Sequence, residues 1–150
     1  MRRTVVLTLG VLFALAGLAV AASYRTGKYE AGGQSGFKRP GIRIDIHKGA
    51  FNVARILMHE TCKAAGHPTI HDFGGFQQGP GDVLQGKITR RGNLSGIWRG
   101  PDGAYVKVTG HISGSDLTVS GQEASHYSPK GATFSYSCQA SGTFQPSRVR

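Results

Sequence analysis

The sequence predicts an all-β fold: a small antiparallel meander barrel of about eight strands, with a two-sheet sandwich as the alternative. Three observations lead there. Glycine is abundant, at 23 of 150 residues, and it recurs in turn-like sequences. Gly92, Gly103 and Gly114 are evenly spaced within Arg90-Arg91-Gly92-Asn93, Pro101-Asp102-Gly103 and Ser113-Gly114-Ser115-Asp116, the rhythm of short strands joined by tight turns. Between the turns apolar and polar residues alternate with period two, which sends them to opposite faces of a strand.

Taken in order, the chain opens with Met1-Arg2-Arg3, runs apolar from Val5 to Val20 and ends that run in small residues at Ala19-Val20-Ala21-Ala22-Ser23. A cationic start, a short apolar stretch and a small-x-small end mark a secretory signal peptide over residues 1–22, leaving 23–150 as one β-barrel-like domain. The alternative for this segment is an uncleaved anchor, which Gly17 and the cleavage-like end argue against. Strands are expected near 26–32, 41–48, 51–62, 83–90, 94–100, 104–112, 116–123 and 132–145. Ile42, Ile44 and Ile46 alternate with Arg43, Asp45 and His47, and Ala104, Val106 and Val108 with Tyr105, Lys107 and Thr109. Gly86 to Gly96 and Gly110 to Gly121 read as two similar consecutive hairpins.

The segment from Phe51 to Cys62 is ambiguous. Phe51, Ala54, Met58, Cys62 and Ala65 stand near helical spacing, with Gly66 as a stop. The β-branched Val53, Ile56 and Thr61, and a turn glycine at Gly49, favour a strand. Ala64 to Asp82 reads as a long connection without internal structure, the kind of segment that is often functional. The last strand is the clearest: Phe134, Tyr136, Cys138, Ala140, Gly142 and Phe144 share one face, so Cys138 points inward.

Composition narrows the function. The formal net charge is +10, with basic residues scattered and small clusters at Lys38-Arg39, Lys87 to Arg91 and Arg148 to Arg150. Such charge favours anionic surfaces in general. Nucleic acid is not expected as a partner, because the chain reads as exported and no stacking-aromatic motif accompanies the charge. An isolated cysteine pair outside the cytoplasm is usually bonded, so Cys62 and Cys138 are expected to form a disulfide that ties the third strand to the last. Closing so long a loop stabilises a fold by about 4 kcal/mol.

No catalytic signature stands out. His59, His67 and His71 lie near Glu60, Cys62 and Asp72, with His47 on the preceding strand, and imidazole with carboxylate suits zinc or copper. The spacing fits no zinc motif, since His59-Glu60-Thr61-Cys62-Lys63 lacks a second histidine. There is no Gly-x-Ser-x-Gly elbow and no evident carboxylate pair for glycoside hydrolysis. Asn93-Leu94-Ser95 is a glycosylation sequon. The candidate ligand residues are His67, His71, Asp72, Phe73 and Phe76 in the long connection, where aromatic rings between glycines either cover a ligand at the barrel mouth or plug its core.

The landmarks Gly27-Lys28-Tyr29-Glu30 leading to Gln34, a hairpin ending at Cys62, the glycine-bounded hairpins from Gly86 to Gly121, and the final Cys138-Gln139-Ala140-Ser141-Gly142-Thr143 resemble a family of small secreted bacterial β-rich proteins of unknown function, of the actinobacterial type. The resemblance covers most of residues 26–145. The chain reads Thr143-Phe144-Gln145 where that family often ends in Trp-x-Ala. It implies a β-fold and assigns no site residues.

The functional expectation is an exported, non-catalytic binding or envelope-associated β-domain protein, located in the periplasm, cell envelope or medium, with no cofactor. Its partner is an anionic envelope polymer or lipid surface, or a small ligand. The alternative is a small extracytoplasmic metal-binding protein or enzyme that uses the histidine cluster.

Overall fold

The computed structural model describes residues 23–32 and 40–150. The expected signal segment 1–22, Gln34 and the Lys38-Arg39 cluster lie outside the described residues. Those residues form ten strands and one short 3-10 turn at Pro101–Gly103, with no α-helix among them. The strands are β1 (Gly27–Ala31), β2 (Gly41–His47), β3 (Ala50–Lys63), β4 (Ile70–Gln77), β5 (Leu84–Ile88), β6 (Asn93–Arg99), β7 (Tyr105–Ser113), β8 (Asp116–Tyr127), β9 (Tyr136–Phe144) and β10 (Ser147–Arg148).

All ladders between these strands are antiparallel, in the order β10-β1-β2-β3-β5-β6-β7-β8-β9. A further pairing of β3 with β9 closes a ring of hydrogen bonds through β3, β5, β6, β7, β8 and β9. The fold is therefore barrel-like and all-β, as the alternation and the turn glycines predict. The segment 51–62 is strand rather than helix. Gly92, Gly103 and Gly114 all adopt positive φ, at 82°, 78° and 59°, so each supplies a turn conformation that L side chains resist.

The expectation for Ala64 to Asp82 needs correction. Instead of a structureless loop it carries β4, paired with β3 from Cys62↔Ile70 to Arg55↔Gln77. Gly75, at φ 147°, is required there, because a Cβ would strike the carbonyl of Ile56. The two-residue β10, paired with β1, also goes beyond the expected eight strands.

The interior is filled by side chains rather than left as a lumen. Tyr29, Ile42, Ile44, Ile46, Phe51, Val53, Ile56, Met58, Leu84, Val108, Ile112 and Val119 are among the fully or nearly fully buried residues of one continuous core. Burial of this kind contributes about 1.5–3 kcal/mol for each large side chain. A second, smaller cluster surrounds Cys62, Cys138 and Tyr136 at one end. Cys62 and Cys138 face each other in register and are bonded, with Cα atoms 4.0 Å apart. The bond is consistent with an extracellular or otherwise oxidising compartment.

Candidate functional site

The chemistry collects at the disulfide end, and a single bulge in β3 puts it there. Against β2, Arg55 pairs with Arg43 but Val53 pairs with Ile44, so Ala54 is an extra residue. Such a bulge reverses which side chains face the core. Phe51 and Val53 point inward before it, and Ile56, Met58 and Cys62 after it. Glu60 lies in the second phase and is carried to the inner face. On β8 the inward series Leu117, Val119, Gly121 continues to Glu123 and Ser125. On β4 the residues in register with Cys62, Glu60, Met58 and Ile56 are Ile70, Asp72, Gly74 and Phe76.

Glu60 and Glu123 converge beneath Gly74. A Cβ built on Gly74 would collide with Glu123 Oε2 and stand 2.6 Å from Glu60 Oε1, so glycine is what lets the strand pass over both carboxyls. The Ser125 hydroxyl donates to Glu60 Oε1 at 3.3 Å. Glu123 Oε2 is buried without a hydrogen-bond partner. Burial, with the Glu60 charge second, pushes the Glu123 carboxyl up to about 7. Glu60 is also raised, chiefly by burial and further by Asp72, against the lowering effect of the Ser125 hydrogen bond. Two carboxyls this close titrate as a pair, and the first to ionise keeps the proton on the other.

Outside this pair the rings take over. His67 stacks on Phe134 with centroids 3.6 Å apart and planes 14° from parallel. Phe134 meets Tyr136 edge-on at 5.7 Å, and Tyr136 lies 6.3 Å from Tyr127. Tyr136 is buried against the disulfide, while Tyr127 is 52% exposed. The result is an aromatic rim standing on a cystine and a carboxyl pair.

The sequence-predicted ligand residues are scattered over several environments. His67 belongs to the rim. His71 sits on the opposite face, with Nδ1 3.4 Å from Thr61 Oγ1. Asp72 Oδ1 accepts the backbone N–H of Phe73 at 2.9 Å. Phe73 is half-buried, 5.0 Å from the ring of His59. Phe76 is in the core, 5.6 Å from Trp98, so it acts as a plug. Among the described residues the three-donor group within 4.8 Å is Glu60, Cys62 and Cys138, and the histidines form none. Those two sulfurs are bonded to each other and offer no thiolate.

Sequence reasoning missed Glu123, Ser125 and Tyr127, and named Glu60 only as a neighbour of the histidines. The alternation Leu117, Val119, Gly121 extends to Glu123 and Ser125 and would have found them. No local signal marks Glu60 as inward, because the bulge is a property of the pairing with β2.

The opposite end has a different character. The β2–β3, β5–β6 and β7–β8 turns meet there. The Ile88 N–H donates to the Gly49 carbonyl at 3.0 Å, the Ile112 N–H to Gly92 at 2.9 Å, and the Gly49 N–H to the Tyr24 hydroxyl at 2.7 Å. A hollow of about 420 Å³ opens between Tyr24, Lys48, Ile88 and Arg90. Lys87 and Arg91 are exposed beside it. Asp116 stands at the same end, beside a separate hollow that it shares with Arg148. No family model matches this chain, and no curated protein or solved structure is similar to it.

Proposed function

We propose that this is an exported, non-catalytic, envelope-associated protein that holds an anionic surface, polymer or lipid, through its basic end. The observation that carries the reading is the concentration of Lys48, Lys87, Arg90 and Arg91 around a hollow with apolar walls from Tyr24 and Ile88. The acids Glu60, Asp72 and Glu123 lie toward the other end. Cations around a partly apolar recess match a phosphate- or carboxylate-bearing surface with an apolar component. The disulfide and the filled core support a durable scaffold in an oxidising compartment.

Sedimentation with vesicles tests this. The protein is expected to pellet with phosphatidylglycerol-containing vesicles and not with pure phosphatidylcholine. Retention should fall severalfold between about 0.05 and 0.3 M salt as screening lengths shorten. The pair Lys48→Gln and Arg90→Gln should weaken it more than Arg43→Gln together with Lys107→Gln, which removes the same charge elsewhere. Equal loss in both pairs, or no retention at all, refutes the assignment.

A second reading rests on the exposed ring of Tyr127 beside the His67–Phe134 stack, which offers a flat apolar face to a small ligand. If Tyr127→Ser and Phe134→Ser abolish retention while Lys48→Gln and Arg90→Gln leave it intact, the rim is the binding face.

A further inference from the structure

We propose that β4 is a proton-operated clasp: it lies closed over the Glu60–Glu123 pair while the pair holds a proton, and loosens from β8 and β9 when both carboxyls ionise. The proposal does not depend on what the protein binds.

The geometry has three parts. First, the pair is half-buried under backbone. Gly74 of β4 is seated so closely on both carboxyls that no side chain fits between, and Glu123 Oε2 has neither exposure nor a hydrogen-bond partner. Second, the groups facing Glu123 offer it little relief. β3 presents Glu60, β4 presents Asp72 in register with Glu60, and β8 presents Ser125, whose hydroxyl is given to Glu60. β9 and β7 place Ala140 and Val106 opposite Glu123, both apolar. His59 and His71 alternate with the inward residues of the β3–β4 hairpin, and His59 and Tyr105 line one hollow together with Glu123. Third, β4 lies outside the closed ring, anchored in the core only by Phe76. The closed ring runs through β3, β5, β6, β7, β8 and β9, and β4 hangs from β3 by one edge.

With one proton on the pair, only one of the two carboxyls carries a charge. When that proton leaves to solvent, two like charges, Glu60 of β3 and Glu123 of β8, face each other beneath Gly74, and the exposed Asp72 of β4 adds a third that acts on Glu60. Repulsion between two part-buried carboxylates is stronger than between charges in open water. The least costly relief is outward movement of the strand held by one edge. Because burial lifts Glu123 to about 7, this exchange falls at neutral pH rather than in the ordinary carboxylate range.

The chain carries its own reporter. Trp98 is the only tryptophan, and its ring lies 5.6 Å from Phe76 of β4. Tryptophan emission followed from pH 5 to 9 should show a transition centred near 7. Glu123→Gln should abolish it, since an amide can donate to Glu60 without titrating. Glu60→Gln should move it to lower pH. Asp82→Asn should leave the midpoint unchanged, although Asp82 Oδ1 accepts from Trp98 Nε1 at 3.2 Å. Amide exchange, corrected for its intrinsic pH dependence, should show residues 70–77 opening above the midpoint while β6 and β7 stay protected. A flat emission profile overturns the proposal. So does a transition that survives in Glu123→Gln with its midpoint unmoved, or exchange that rises equally in β4 and β7. If Glu123→Gln does not fold, Glu60→Gln decides by the same reading, because an unmoved midpoint there also overturns it.

Discussion

Single atoms decide more here than residue type does. Gly86 and Gly96 face each other across β5 and β6, and the ring of Phe51 lies over both, with Cζ 2.5 Å and 2.9 Å from where their Cβ atoms would stand. A Cβ on Gly96 would also stand 2.7 Å from the Gln85 carbonyl oxygen, so Gly96→Ala should shift both the strand and a fully buried ring and cost about 1–3 kcal/mol. Gly49 has open space around it and a φ of 78°, so Gly49→Ala should cost only about 1 kcal/mol in backbone strain. Thermal melting of the two variants checks the ranking; equal losses would mean that Phe51 does not depend on the glycine pair. Glu123 sets a second residue-scale expectation. Its folded value of about 7 exceeds its ordinary value of 4.5, so the folded state keeps a proton that the unfolded state has lost. Its contribution to stability is whole below pH 4.5, declines as pH rises to about 7 and then stays constant. Because the side chain is half-buried, the decline is discounted to about 1–2 kcal/mol. Denaturant melts at pH 5 and pH 8 should show that difference in the native chain and lose most of it in Glu123→Gln. The exposed Arg43–Glu30 pair, at 2.6 Å, should matter far less, and Arg43→Ala should change stability by under about 1 kcal/mol.

At the scale of elements, the disulfide and the core are separable. Cys62 and Cys138 belong to their own small cluster with Tyr136, apart from the main core. Replacing both cysteines with alanine should cost about 2–5 kcal/mol yet leave the barrel folded, with the strand-rich circular dichroism retained and the melting point lowered. Loss of the strand signal at room temperature would show that the cystine is required for the fold. The same elements show what could be read from sequence. β2, β7 and β9 were legible because each keeps one unbroken alternation between core and solvent, as in Ile42, Ile44 and Ile46 or Tyr136, Cys138 and Ala140. β4 was not, because only Phe76 is buried in the core, while its other inward positions meet acids or pass as bare glycine. The mixed spacing of Phe51, Ala54, Met58 and Cys62, which imitates a helix, is the signature of two strand phases joined at the Ala54 bulge. That one pairing irregularity also hid Glu60, and with it half of the carboxyl pair. The rim was partly visible: His67 was singled out, but its stacking partner Phe134 lies far along the chain and only the fold brings them together.

Across the whole molecule, a basic cluster and an aromatic rim stand at opposite ends of the barrel. The turns carrying Lys48 and Arg90, joined by backbone hydrogen bonds through Gly49, Gly92 and Gly114, form a platform at one end, and the aromatic rim with its half-buried glutamates forms the other. The two ends should respond to different variables, the first to ionic strength and the second to pH. A protein whose vesicle retention tracks salt but not pH, and whose tryptophan emission tracks pH but not salt, fits this division. Retention and emission that change together along either axis would show that the ends are coupled through the barrel.

The closure of the sheet also governs when the chain can become a protein. β1 is paired to the last strand, with Tyr29 opposite Arg148, and the ring shuts only when β9 meets β3 at Cys62↔Cys138. Every earlier hairpin must wait, half its apolar face uncovered, for the final dozen or so residues to arrive. Contacts between such distant parts of a chain form slowly. A chain delivered amino end first, through a ribosome tunnel or a translocation pore, should therefore close its barrel only late in its passage. Removing residues 136–150 should leave no shortened barrel but an open, sticky sheet, soluble only while a chaperone holds it.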